Sequence, residues 1–229
     1  MSLSLQKAPA AAPNAGDQLV EANERVTGSS AVVLLVLFPI EVVTVLLGVN
    51  SLLTLHVFIG LMVVPPLLVK MGSVVRRFLG YYRGNEAFRR KGPPPPLLRM
   101  IGPLFFLATV ILFSSGYVLF LAPSALGGSL RYVHLISFDF WLLLVVIHVV
   151  AHAKDIRRIS PRDWSRRARV RLPGVKTRRV IVIGSVAIGI VFALALVGNV
   201  NTYRHDVRQM KSPTIAQGFS HRQMSGSPR

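Results

Sequence analysis

The stretch Tyr132–Ala153, YVHLISFDFWLLLVVIHVVAHA, decides the fold. Apart from Ser137, Asp139 and the histidines at 134, 148 and 152, every residue in it is hydrophobic. At about 1.5 Å per residue such a block crosses a hydrocarbon core of about 30 Å as one helix. It lacks the apolar–polar alternation of a barrel strand. Four more blocks of this kind flank it: Ser30–Val49, Leu52–Val75, Ile101–Ala122 and Val180–Val200. The expected fold is all-α, a polytopic membrane helical bundle. It has a four-helix core over residues 29–156 and a fifth transmembrane helix over 180–200. Composition agrees, since 52% of the residues are hydrophobic and only 16% charged, against about 25% charged in a soluble domain.

The 229 residues carry 27 Lys and Arg against 9 Asp and Glu, a net charge of +18. Their positions argue for membrane topology rather than nucleic-acid binding, for which no recognised motif is present. Eight basic residues lie between Lys70 and Arg99 and eleven between Lys154 and Arg179. The turn at Gly48–Ser51 has none, and the loop Pro123–Arg131 has only Arg131. Short basic loops stay on the cytoplasmic side during insertion. The N-terminus and both basic loops are therefore expected inside, and the C-terminus outside the plasma membrane. The loop at 157–179 would also attract anionic lipid headgroups.

Residues 1–28, rich in Ala, Pro and Asn, and the tail at 201–229 are expected to be disordered. Arg83-Gly84-Asn85 reads as a turn and Pro93–Pro96 as a polyproline II spacer. Pro65-Pro66 is expected to kink the second span, because it frees the carbonyls of Leu61 and Met62.

Charge at the centre of a membrane helix costs about 2.5–3.5 kcal/mol on insertion scales, so polar exceptions carry information. They are Glu41 in the first span, His56 and Lys70 in the second, and His134, Asp139, His148 and His152 in the fourth. His56 and His134 fall at nearly the same depth on two different helices. Two histidines facing each other in this way can ligate opposite faces of one heme. They can also simply hydrogen-bond between helices. Gly60, one turn below His56, and Gly116 in the third span would let backbones approach or admit a porphyrin. Arg131 is placed to pair with propionates.

His148 lies fourteen residues beyond His134 and His152 eighteen beyond it, close to four and five helical turns. All three imidazoles therefore share one stripe, and His148 is about 21 Å below His134. This is the spacing of two hemes stacked across a membrane. Fourteen residues after His56, however, stands Lys70 rather than histidine. At His148 and His152, ligation of a second heme and an interfacial placement both remain open. Glu41 has no evident basic partner in the other span centres.

The pattern Leu55-His56 with Gly60, then a Leu-rich third span, then His134 and a Trp-containing run to His148 and His152, resembles small bacterial b-type cytochromes. That group takes in the membrane subunits of hydrogenases and formate dehydrogenases and the related ferric-reductase-like and DUF4405-like proteins. The loop Arg77–Gly84 with its prolines looks like that of actinobacterial members. The resemblance covers about residues 25–164. It implies a cytochrome-b-like core, heme b iron held by His56 and His134, and His148 as ligand of a second heme where a partner exists. It also implies electron transfer with a quinone or a redox partner subunit. A non-redox transporter component or scaffold is the competing class. No nucleotide-binding G-x-G-x-x-G, H-E-x-x-H or G-x-S-x-G string occurs.

Overall fold

The computed structural model describes residues 14–92, 96–122, 127–159 and 174–211. Among them the chain is helical throughout, with no strand. The helices are α1 (Ala15–Leu46), α2 (Val49–Tyr82), α3 (Glu86–Arg90), α4 (Pro96–Leu121), α5 (Gly127–Ile159), α6 (Val175–Val197) and α7 (Val200–Lys211). All but α3 and α7 are long and apolar enough to cross a membrane. The chain is a multi-pass membrane protein of the expected all-α class.

Two hairpins organise the bundle. α1 and α2 turn back on each other at Gly48, whose φ of 102° is open to glycine and strained for other residues. α4 and α5 form the second hairpin, and α6 packs along α2. One buried cluster, with Leu34, Val63, Leu67 and Ala193, holds α1, α2 and α6 together. A second, with Ala108, Leu112, Trp141 and Leu144, holds α4 to α5. Phe38 and Phe113 pack against both clusters, their ring centroids 6.4 Å apart, and join the two groups.

Three expectations need correction. Residues 15–28 are helical, because α1 begins at an Asn14 cap whose side chain accepts from Asp17 N at 2.8 Å. Val20 then buries itself against Ala87 and Phe88, and Glu24 pairs with both Arg77 and Lys91. Composition suggested disorder there because it does not register these long-range partners. Residues 1–13 lie outside the described residues. The tail is likewise helical to Lys211, since Val200 is buried in the first cluster; residues 212–229 lie outside the description. Finally, α2 runs through Pro65 and Pro66, and its departure from helical dihedrals falls at Leu52 instead.

Of the proline spacer, Pro96 is the first residue of α4, a first-turn position that proline tolerates; residues 93–95 are not described. The expected turn is present, with Gly84 at φ 81° and Asn85 capping α3. Most of the basic loop, residues 160–173, lies outside the described residues.

Candidate functional site

Each of the two hairpins holds a histidine against polar partners on its other helix. Glu41 lies seven residues before Gly48 and His56 eight after it, so the hairpin sets them side by side. His56 Nδ1 is 3.0 Å from Glu41 Oε1 and 3.0 Å from Thr44 Oγ1. Thr44 Oγ1 itself donates to the Glu41 carbonyl at 2.6 Å. Its proton is thereby committed, and the hydroxyl oxygen is left to accept. Gly60 makes room for this arrangement, since a Cβ there would lie 3.3 Å from Glu41 Oε1. The sequence reading left Glu41 without a basic partner; His56 is that partner. The near-symmetric spacing about Gly48 was the signal that could have found it.

The second hairpin does the same for His134. Its Nδ1 is 3.2 Å from the Leu112 carbonyl oxygen and 3.1 Å from Ser115 Oγ. Ser115 Oγ donates to that same carbonyl at 3.0 Å. A Cβ on Gly116 would come within 2.8 Å of His134 Cε1, so glycine is what lets the imidazole lie against α4. In this structure the gaps at Gly60 and Gly116 hold a carboxylate and an imidazole.

These contacts bear on the tautomers. A peptide carbonyl can only accept, so His134 carries its proton on Nδ1 and donates to Leu112 O. In the neutral ring Nε2 of His134 then keeps its lone pair. At His56 the Nδ1–Glu41 Oε1 contact can be made with the proton on either partner, and donation from Nδ1–H is the arrangement that leaves Nε2 with its lone pair. His56 and His134, on α2 and α5, also lie within electrostatic reach of one another. α2 and α5 make little direct backbone contact, the close packing being α2 on α1 and α6 and α5 on α4.

Below this layer the stripe on α5 continues. Trp141 lies midway between His134 and His148, seven residues from each. It is buried, donates Nε1–H to Thr109 Oγ1 at 3.0 Å, and meets Phe38 edge-on at 4.8 Å. His148 stacks on Phe105 at 4.9 Å and lies 4.7 Å from His152. Lys70, fourteen residues after His56 on α2, lies within electrostatic reach of His148. Arg131 is exposed near the start of α5. Asp139 is exposed on the opposite face of that helix from His134. No cluster of three or more acidic, histidine or cysteine ligands occurs among the described residues.

An axial heme pair needs only two imidazoles, each presenting an unprotonated nitrogen with the other held by an acceptor. His134 meets that requirement, and His56 meets it in the tautomer that donates Nδ1–H to Glu41. For His148 the charged group within electrostatic reach on α2 is Lys70. Comparison of the chain with protein-family models, with curated proteins and with solved structures finds no match in any of the three.

Proposed function

We propose that this chain is an integral membrane b-type cytochrome that holds one heme b between His56 and His134. The observation that carries the reading is the polar partner beside Nδ1 of each imidazole. On two different helices, an acceptor at Nδ1 supports the tautomer whose Nε2 is able to donate to iron. Metal-bound histidines are held in this way, through the nitrogen that does not face the metal.

Heme b, when bound, supplies a one-electron couple. The chain's own residues do the rest. Thr44 and Glu41 orient the His56 ring, and Ser115 and the Leu112 carbonyl orient His134. Phe38, Phe113 and Trp141 keep water from the inner side. Electrons would be exchanged with a quinone or a partner redox subunit. The basic loops would face the cytoplasm of the cell and the anionic headgroups of its plasma membrane.

The test is the visible spectrum of detergent-purified, dithionite-reduced protein. A sharp low-spin spectrum at one heme per chain is expected. His56→Ala and His134→Ala should each abolish it, and His148→Ala should leave it nearly unchanged. A wild-type protein without a Soret band overturns the proposal. Loss on His148→Ala alone would overturn the ligand assignment.

A further inference from the structure

Among the described side chains of α5, the hydrophobic ones more than half exposed are Tyr132 at 68%, Ile136 at 68%, Leu143 at 58%, Val146 at 54% and Val150 at 71%. Their spacings are four, seven, three and four residues, and Asp139 fills the gap between Ile136 and Leu143. Together they form one straight 4-3-4-3-4 seam facing away from the histidines. Hydrocarbon would satisfy the apolar members, because a lipid tail is as apolar as leucine.

It does not satisfy Asp139. This carboxyl is exposed and has no hydrogen bond or ion pair among the described residues. The spanning stretch of α5 runs from Gly128 to His152. Asp139 is therefore about 16 Å from one end and about 20 Å from the other, too far for a short side chain to reach either headgroup layer. A polar group at that depth needs a protein partner.

We infer that the Asp139 face of α5 is the interface of a homodimer, with a second copy of this chain as its occupant. A second copy inserts in the same orientation. A two-fold axis along the membrane normal then brings Asp139 to Asp139 at one depth. Two carboxylic acids can each donate O–H to the other's carbonyl oxygen, so the pair is neutral and both groups are satisfied. Among the described residues the basic groups of the spans offer no alternative mate. His56, Lys70, His134 and His148 are all partly buried rather than on the exposed surface. The 4-3 spacing is that of two helices meeting along a seam, with one polar position setting register.

The chain contains no cysteine, so the test needs no prior engineering. Leu143→Cys and Val146→Cys, introduced singly into the full-length protein in its native membrane, should form disulfide-linked dimers on mild oxidation. Val191→Cys, 66% exposed on α6, reports random collision and should stay monomeric. Adding Asp139→Leu to Leu143→Cys should reduce the dimer yield severalfold, and Asp139→Asn, which can still pair with itself, should preserve it. Monomer at both seam positions overturns the inference, as it would if another polypeptide or lipid covered the face. Equal yields at Val191→Cys overturn it too. Dimers that survive Asp139→Leu would overturn the role given to the carboxyl. None of these readouts depends on heme.

Discussion

In the proposed heme site Glu41 Oε1, 3.0 Å from His56 Nδ1, is the partner that would set the basicity of that ligand. Accepting a hydrogen bond from an imidazole raises the basicity of its far nitrogen, most strongly when the acceptor is anionic. A more basic axial ligand would favour the oxidised metal, so Glu41 in that role would hold the potential of the proposed heme down. Its other oxygen, Oε2, is buried without a partner, so nothing else competes for its electron density. Glu41→Gln keeps the shape and weakens the acceptor. If the oxidised form loses a tenfold preference, the low end of what such outer partners contribute, the midpoint rises by about 59 mV. A potentiometric titration followed in the visible band reads this directly. An unchanged midpoint would mean that Glu41 does not act through His56. His134 offers the built-in comparison, since its Nδ1 faces only neutral acceptors. Ser115→Ala is therefore expected to move the potential less than Glu41→Gln.

Between helices, α6 approaches α2 closely at Gly189. A Cβ built on Gly189 would collide with the Met62 carbonyl oxygen. That oxygen is the one Pro66 leaves without its helical donor. The two features belong together: proline frees the carbonyl, and glycine lets the neighbouring backbone come up against it. Gly189→Val must push the helices apart, and overpacking of this kind costs about 1–3 kcal/mol. Thermal unfolding in detergent should show a lowered Tm for Gly189→Val. Gly184→Val, where a Cβ meets nothing within 4 Å, should change it little. Had Pro65-Pro66 been read with Gly189 in mind, a packed crossing rather than a kink would have been the expectation. The spans were legible because about twenty apolar residues in a row admit one reading. That His56 and His134 come near one another was legible because helical rise is fixed. The Glu41–His56 pair and the ordered start of α1 were missed for one physical reason. Both depend on which side chains the hairpins bring together, and composition within a segment does not carry that information.

Across the whole molecule, the placement of the ends constrains topology more tightly than loop charge does. The start of α1 packs on α3 and pairs with the loop after α2, through Val20 with Phe88, Asp17 with Arg90 and Glu24 with Lys91. The first residues described and the short α2–α4 connection therefore share one end of the bundle. α7 lies at the other end, where Arg204 donates to Thr54 Oγ1 near the Gly48 turn at 3.5 Å. With five crossing helices between them, the two ends belong on opposite sides of the membrane, whichever way round the chain inserts. Loop charge then selects the direction. The end with α3 carries the eight basic residues between Lys70 and Arg99, whereas the Gly48–Ser51 turn carries none. Lys and Arg near span ends are retained in the cytoplasm. A reporter fused after Arg99 should therefore be cytoplasmic, and one fused after Arg229 extracytoplasmic. The two fusions separate two kinds of error. If both report the reverse, the bundle stands but inserts upside down, and the five basic residues from Arg204 onward have outweighed the loops. If both report the same side, α6 does not cross, and its backbone contact with α2 would have to form outside the hydrocarbon. A helix with no charge between Val180 and Val197 would then lie exposed to water, which its composition argues against.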